Sequence, residues 1–223
     1  MSIIVPQTNK KDKKTIHYNL ANSKNLLLIF TRNPVLGQCK TRLAATVGDK
    51  VALDIYRFLL DHTFAITYEL PVHKQVYYSN EIWEDDIWDS SIFDKRLQQG
   101  SDLGERMSNA FQNGFEDGFE NIIIIGSDIY ELATKDLLEA FDALEQNEFV
   151  LGPAEDGGYY LLGMKAYNET VFKNKNWGKE KVFQNTMDDL KNEKVYLLKS
   201  KNDIDLYDDV KNIEAFQPYL KNI

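Results

Sequence analysis

The centre of the fold is predicted by the stretch Asn121-Ile122-Ile123-Ile124-Ile125-Gly126-Ser127-Asp128. Four consecutive isoleucines leave no polar face for water, which is typical of a strand that is buried on both sides of a sheet. A second apolar run near the start of the chain, Leu26-Leu27-Leu28-Ile29-Phe30, has the same character. Together the two runs indicate a sheet whose central strands are covered from both sides.

Helical patterns alternate with further strand-like runs along the rest of the chain. Over 49–68, for example, Val51, Ile55, Phe58 and Leu59 recur at three- and four-residue steps, which is the spacing of one helix face. Strands alternating with helices predict an α/β fold with a largely parallel sheet. The pattern predicts helices over 49–68, 103–115, 134–146, 179–190 and from 206 onward, and further strands over 72–78, 93–98, 149–151, 159–164 and 194–198.

Length and composition indicate one globular domain of ordinary type. The chain has 223 residues, of which 43% are hydrophobic and 27% charged, and this is enough for a single sizeable core. Residues 1–24 are polar with a lysine-rich centre, which predicts a solvated extension. We therefore expect one domain over 25–223.

The excess of acidic over basic residues argues against one class of binding partner, nucleic acids. With a formal net charge of −9, the chain lacks the basic footprint that general nucleic-acid binding needs.

Cys39 is the only cysteine, so an intrachain disulfide is excluded. No apolar run approaches the roughly 20 residues of a membrane-spanning helix, and the N-terminus lacks a signal-peptide pattern. We expect a cytoplasmic protein without a membrane span, and its oligomeric state is left open.

Three basic residues lie in the loop after the first predicted strand: Arg32, Lys40 and Arg42. Such loops are where open α/β sheets bind ligands, so these cations could converge on a phosphorylated ligand. The loop is not a P-loop, because Cys39 rather than glycine precedes Lys40. No predicted strand leads into a Gly-x-Gly-x-x-Gly turn either. The alternative is that the three cations are ordinary surface residues.

Two aspartates follow predicted strands that are far apart in the sequence. Asp128 ends the isoleucine strand, and Asp205 follows a late strand within Asp203-Ile204-Asp205. Carboxylates at strand ends can bind Mg²⁺, which takes few protein carboxylates together with ligand phosphates. Each aspartate also precedes a predicted helix, so capping of that helix is the alternative.

A glycine pair marks a candidate substrate loop in the stretch Asp156-Gly157-Gly158. Paired glycines allow positive φ or the close approach of a ligand to the backbone, and Asp156 could orient an acceptor hydroxyl or act as a base. A plain hairpin turn is the alternative. Trp177 precedes a predicted helix and could line a pocket, although simple packing explains it equally well.

A predicted helix start lies in the stretch Gly100-Ser101-Asp102-Leu103-Gly104-Glu105-Arg106-Met107. Asp102 followed three residues later by Glu105 has the spacing of a capping box. Arg106 then lies in the first turn, from where it could point toward the same ligand as the basic loop.

Five motifs occur in order along the chain: Phe30-Thr31-Arg32-x-Pro34-x-x-Gly37-x-x-Lys40-Thr41-Arg42-Leu43, Asp102-Leu103-Gly104-Glu105-Arg106-Met107, Gly126-Ser127-Asp128, Gly152-Pro153-Ala154-x-Asp156-Gly157-Gly158-Tyr159-Tyr160 and Asp203-Ile204-Asp205. Together they resemble the DUF2064 family, which is assigned to the glycosyltransferases within the nucleotide-diphospho-sugar transferase (GT-A) superfamily. The resemblance covers about residues 25–215. One departure is Ile129-Tyr130, where the family usually has x-Pro after Gly-Ser-Asp.

The resemblance implies a GT-A-like three-layer α/β/α sandwich with a mixed, mainly parallel sheet. By similarity, the basic loop would hold a nucleotide and its phosphates. Asp128 would bind Mg²⁺ or Mn²⁺, and Asp205 matches a second metal-ligand position. The segment 156–158 would face the sugar or the acceptor.

Three functions are compatible with these residues. The first is a metal-dependent glycosyltransferase that moves a sugar from a nucleotide-diphosphate donor to a small acceptor. The second is a nucleotidyltransferase that joins a nucleoside triphosphate to a phosphorylated small molecule and releases pyrophosphate. The absence of a glycine-rich loop before Arg32 favours sugar transfer over this reaction. The third is a non-catalytic nucleotide-binding domain, which the retained aspartates and basic residues disfavour.

Overall fold

The computed structural model describes residues 23–221, so the predicted extension over 1–24 lies outside the described residues apart from its last two positions. The described residues form seven strands and seven α-helices in largely alternating order. The strands are β1 (Asn25–Thr31), β2 (His73–Tyr78), β3 (Phe93–Leu97), β4 (Asn121–Gly126), β5 (Phe149–Pro153), β6 (Tyr159–Met164) and β7 (Val195–Leu197). The helices are α1 (Thr41–Val47), α2 (Asp49–Tyr68), α3 (Leu103–Glu116), α4 (Thr134–Leu144), α5 (Val182–Asp189), α6 (Tyr207–Val210) and α7 (Gln217–Leu220), with 3₁₀ turns at Glu169–Phe172 and Glu214–Phe216.

All seven strands belong to one sheet, in the order β3-β2-β1-β4-β6-β5-β7. β1 pairs in parallel with β2 and β4, so that Leu28 lies between Gln75 and Ile124. Within the described residues, β6 is the one strand that runs antiparallel to its neighbours. The predicted mixed, mainly parallel sheet is confirmed, and the carboxyl ends of β1 to β4 meet at one edge.

The central strands are buried on both faces, as the isoleucine run predicts. On one face of the sheet, Leu27 and Ile123 pack with side chains of α2 and α4. On the other face, Leu28 and Ile124 pack with side chains of α3. Helices on both faces give the three-layer α/β/α arrangement, so the predicted fold class is confirmed.

The C-terminal segment packs against the helices that follow β1 rather than against the sheet. Ile204, Val210 and Phe216 are buried in one cluster with Leu43 of α1 and Leu59 of α2. This packing brings the Asp203-Ile204-Asp205 stretch next to the basic loop, although more than 160 residues separate the two in the sequence.

Two predicted helices differ from the observed ones. The helix predicted over 179–190 begins only at Val182, because the loop before β6 packs at its start and Gly157 accepts a hydrogen bond from the Phe183 N–H at 2.9 Å. The closing helix is broken into α6, a 3₁₀ turn and α7. Pro218 lies in the first turn of α7, where its missing N–H is tolerated.

The acidic segment over 81–92, which the sequence leaves without a role, is anchored to the core by one buried side chain, Trp88. Trp88 is 2% exposed and packs edge-on against Phe93 and Phe64. Asp86 accepts hydrogen bonds from the Tyr78 hydroxyl at 2.5 Å and from Lys95 Nζ at 2.9 Å.

Over residues 23–221, no helix is long and apolar enough to cross a membrane.

Candidate functional site

A cavity of about 670 Å³ opens at the edge of the sheet where β1 to β4 end. Its wall is formed by the basic loop after β1, the turn after β4, Gln98 after β3 and the start of α3. A cavity of this volume suits a ligand of nucleotide size. The predicted site residues that line it are Arg32, Lys40, Arg42, Arg106, Asp128 and Asp205.

The floor of this cavity is held by the hydroxyl of Tyr56 in α2. The Tyr56 oxygen accepts a hydrogen bond from the Arg32 N–H at 2.9 Å and lies 3.1 Å from Ser127 Oγ. Burial raises the pKa of Tyr56, so the hydroxyl keeps its proton. The ends of β1 and β4 are thereby tied together. Tyr56 was not predicted as a site residue, because a tyrosine within an apolar helix face is typical of ordinary packing.

Arg106 is held at the cavity by contacts with the loop between β3 and α3. Its Nε donates to the Gly100 carbonyl at 3.1 Å, and one terminal nitrogen donates to Gln98 Oε1 at 3.3 Å. Gln98 in turn donates to the Thr31 and Tyr77 carbonyls at 3.2 and 3.0 Å. The guanidinium is therefore fixed relative to the ends of β1 and β2.

The basic loop and the strand-end aspartates meet in a network of ion pairs. Lys40 Nζ lies 2.8 Å from Asp128 Oδ2 and 3.8 Å from Asp205 Oδ1, and Arg42 pairs with Asp205. Burial alone would lower the pKa of Lys40, but the neighbouring carboxylates, Asp128 first, outweigh it and raise that pKa. In the described part of the chain, the Arg32 guanidinium is in no ion pair.

Neither strand-end aspartate caps a helix, so the capping alternatives are wrong. The start of α4 is capped by Asp136, whose carboxylate accepts from the Ala133 N–H at 2.8 Å. The start of α6 is capped by Asp209, which accepts from the Asp205 and Leu206 N–H groups. Asp128 and Asp205 are left to face the cavity.

A smaller cavity of about 240 Å³ adjoins the first and shares Leu103, Gly126 and Asp128 with it. Asp156, Gly158 and Trp177 line this smaller cavity, as do Tyr159 and Asp203. Asp128 therefore lies at the junction of the two cavities.

Gly157 is placed differently from its neighbours in the candidate substrate loop. Its φ is +88°, and a Cβ there would lie 2.0 Å from the Glu180 carbonyl oxygen. It packs against that backbone and does not belong to the lining of the smaller cavity. Asp156 closes the turn by accepting from the Gly158 N–H at 2.8 Å. The glycine pair thus shapes the loop that presents Asp156.

Two polar residues of the smaller cavity were missed in the sequence. The Tyr159 hydroxyl is buried and has no hydrogen-bond partner among the described residues. Burial, followed by the carboxylates of Asp128 and Asp156, raises the pKa of Asp203 to about 6, against the opposing effect of Lys40. Asp203 could have been predicted from its position two residues before Asp205. In an extended segment, side chains two residues apart point to the same side.

The Asp128 side chain is 36% exposed at the junction of the two cavities, so a ligand in either cavity can reach its carboxylate. While Oδ2 accepts from Lys40, Oδ1 lies beside Gly126, where a Cβ would come within 2.9 Å of it. Mg²⁺ commonly takes one or two carboxylates and completes its shell with water and ligand phosphates, and this donor set fits that pattern. Among the described residues, no group of three or more His, Cys, Asp or Glu side chains could hold a metal ion by itself.

Comparison with known families gives a match over residues 63–179, which is more than half of the chain. The matching family is described as "Uncharacterized protein conserved in bacteria (DUF2064)". The chain belongs to the DUF2064 family. The resemblance to this family is confirmed, and three of the five motifs, those over 102–107, 126–128 and 152–160, lie within the matched residues. No curated protein matches this DUF2064 chain.

Solved structures share the fold of this DUF2064 protein. A protein of Desulfovibrio desulfuricans G20, described as a "putative nucleotide-diphospho-sugar transferase", is 28% identical with a TM-score of 0.79, covering 89% of this chain and 94% of that one. A cytidylyltransferase from Leptospira borgpetersenii is 16% identical, with a TM-score of 0.52 and 84% of both chains covered. A 4-diphosphocytidyl-2C-methyl-D-erythritol synthase from Anaerococcus prevotii is 10% identical, with a TM-score of 0.58 and coverage of 92% and 99%. The last two likenesses concern the fold alone.

Proposed function

We propose that this DUF2064 protein is a metal-dependent glycosyltransferase, which moves a sugar from a nucleotide-diphosphate donor to a small acceptor. The observation that carries the proposal is the position of Asp128 at the junction of a larger, cation-lined cavity and a smaller one. The likeness to the Desulfovibrio protein supports transfer chemistry with a nucleotide-linked substrate.

In this proposal the nucleotide occupies the larger cavity. Arg32, Lys40, Arg42 and Arg106 line it and would contact the nucleotide and its phosphates. Guanidinium groups bind phosphate oxygens with two parallel hydrogen bonds, and lysine acts as a point charge. These cations would stabilise the negative charge that accumulates on the diphosphate as it leaves.

Asp128 would hold Mg²⁺ or Mn²⁺ beside the diphosphate, with Asp205 as the second carboxylate of the proposed metal site. When bound, the cation would supply further electrostatic stabilisation of the leaving diphosphate. Asp203 lines the smaller cavity next to Asp128 and adds negative charge on the same side.

The sugar and the acceptor would meet in the smaller cavity. Gly158 and Trp177 line it and would contact the sugar or the acceptor, with Gly157 acting through the shape of the loop. Asp156 would take the proton of the acceptor hydroxyl. At the same time the hydroxyl oxygen of the acceptor would bond to the anomeric carbon of the sugar, and the bond between that carbon and the diphosphate would break.

Calorimetric titration of the protein with UDP, GDP, their sugar conjugates and nucleoside triphosphates, each with and without Mn²⁺, tests this function. We expect Mn²⁺-dependent binding of one nucleotide diphosphate and its sugar conjugate. In Asp128→Asn that binding should weaken at least about tenfold, since a metal ligand is lost. Asp142→Asn, on the exposed side of α4, is the matched control and should bind as the wild type does.

Two results would contradict sugar transfer. Preference for a nucleoside triphosphate, with pyrophosphate released when a phosphorylated small molecule is added, would identify a nucleotidyltransferase. Full binding together with an unaffected Asp128→Asn variant and no transfer to any acceptor would identify a non-catalytic binding domain.

A further inference from the structure

Two cations and two carboxylates of the larger cavity neutralise one another in the free protein. Lys40, Arg42, Asp128 and Asp205, here called the charge tetrad, carry two positive and two negative charges within one set of ion pairs. Lys40 is the central member, because its ammonium contacts both carboxylates. Two of the four cations proposed to hold phosphate therefore already bind the two carboxylates proposed to hold metal.

Lys40 is held in this position by the backbone. Its φ of 49° and ψ of 43° lie in the left-handed region, which a residue with a side chain rarely adopts. The Lys40 carbonyl accepts the first hydrogen bond of α1, from the Ala44 N–H at 2.8 Å. Only 7% of its side chain is exposed, although it lines an open cavity. The fold thus directs the ammonium inward onto the two aspartates.

We infer that the Lys40 ammonium takes the place of the divalent cation between Asp128 and Asp205 in the free protein, and that a metal-bound nucleotide diphosphate displaces it. This inference rests on the proposed function. A divalent cation bound by both carboxylates would lie beside a positive charge that is 2.8 Å from Asp128 Oδ2. Lys40 must therefore move before the two aspartates can share a metal.

Displacement of Lys40 would couple the binding of the metal to the binding of the nucleotide. A metal ion alone would leave the buried ammonium without an anion, and a nucleotide that drew Lys40 away would leave Asp128 without a cation. For the buried ammonium an unpaired charge is unfavourable, and Asp128, whose side chain is 36% exposed, would repel the phosphates of the nucleotide without a cation between them. When both ligands bind, the metal replaces Lys40 on the carboxylates and a phosphate oxygen replaces the carboxylates on Lys40. The two ligands should therefore bind with positive coupling.

Mn²⁺ binding, followed by the electron paramagnetic resonance signal of the free ion, tests the inference in wild-type protein and in Lys40→Met. We expect weak Mn²⁺ binding to the wild type that the preferred nucleotide diphosphate tightens about tenfold or more. Lys40→Met should bind Mn²⁺ about tenfold more tightly without nucleotide, and the nucleotide should then add little. Methionine matches the length of the stem and removes the charge.

Two further variants separate the inference from a general charge effect. Lys50→Met removes an exposed cation of α2 that lines neither cavity and should change Mn²⁺ affinity by less than about threefold, since exposed charges are screened. The double variant with Lys40→Met and Asp128→Asn should lose the affinity gained in Lys40→Met. Circular dichroism and thermal unfolding show that each variant is folded.

The inference is overturned if folded Lys40→Met binds Mn²⁺ no more tightly than the wild type, or if neither protein binds Mn²⁺. The proposed function fails by a different result, which is the absence of nucleotide binding to the wild type. Tighter Mn²⁺ binding by Lys40→Met in a protein that binds no nucleotide would support displacement of Lys40 by the metal and refute the transferase.

Discussion

At the scale of single residues, the smaller cavity depends on the bare backbone of Gly104. This buried glycine lies in the first turn of α3, and a Cβ there would come within 2.3 Å of Trp177 Nε1. Trp177 also contacts Tyr159 edge-on, with ring centroids 6.3 Å apart. The absence of a side chain at Gly104 therefore sets how closely the indole approaches the helix.

We predict that Gly104→Ala displaces the Trp177 indole while leaving the protein folded. Alanine favours the helix by up to about 1 kcal/mol relative to glycine, which offsets part of the lost packing. Acrylamide quenching of tryptophan fluorescence should increase, since the displaced indole becomes more exposed. The same substitution in a Trp177→Phe background is the control and should leave quenching unchanged; unchanged quenching in both backgrounds would contradict the prediction.

At the scale of elements, α3 carries residues to both cavities from a capped start. Asp102 Oδ1 accepts from the Glu105 N–H at 2.9 Å, and Glu105 Oε2 accepts from the Ser101 N–H at 2.7 Å. This confirms the predicted cap. Leu103 is 44% exposed and lines both cavities, and Arg106 follows it in the first turn.

We predict that Asp102→Ala lowers the free energy of unfolding by about 1 kcal/mol, because one N–H at the helix start loses its acceptor. Asp102→Asn keeps a side-chain oxygen at the same place and should lose less than half of that amount. Urea denaturation of the three proteins measures the difference. Equal stability of the alanine and asparagine variants would show that the cap contributes nothing.

At the scale of the whole molecule, one lysine of the sheet is buried without a carboxylate to form an ion pair with it. Lys74 in β2 is 2% exposed, and its Nζ donates to the Leu70 and Val72 carbonyls at 2.7 and 3.2 Å. Over the described residues it is in no ion pair. Burial lowers its pKa from 10.5 to about 8, so the folded protein releases this proton more readily than the unfolded chain.

We predict that this lysine makes stability rise with pH between about pH 8 and pH 10.5. In that window the folded protein has lost the proton while the unfolded chain still binds it, so raising the pH favours folding; below pH 8 both states hold it. Lys74→Met should abolish this rise, which is on the order of 2 kcal/mol. Urea denaturation of both proteins from pH 7.5 to 9.5 measures it as the difference between them, because tyrosines of the unfolded chain begin to ionise in this range and affect both proteins alike.

Lys135→Met, on an exposed part of α4, is the control for the pH series. It should keep the rise in stability seen in the wild type. A Lys74→Met protein with the same pH dependence as the wild type would show that Lys74 keeps its proton in the folded state.

The elements of this fold were largely predictable because their signals are local. The predicted bounds of α2 and β6 match the structure, since apolar spacing along a few turns or strand residues identifies each of them. The irregular segment around Trp88 was not assigned, because its contacts with Phe64 and Phe93 belong to no repeating pattern.

The sequence by itself determined the α/β class, the two-sided burial of β1 and β4, and the residue types at the strand ends. Only the tertiary structure decided that Lys40 pairs with Asp128, 88 residues away, and Arg42 with Asp205, 163 residues away. It also placed Tyr56, Tyr159 and Asp203 at the site. The spacing of buried residues along a helix or strand can be identified from residues that are close in sequence. Contacts between residues 88 or 163 positions apart depend instead on how the helices pack against the assembled sheet.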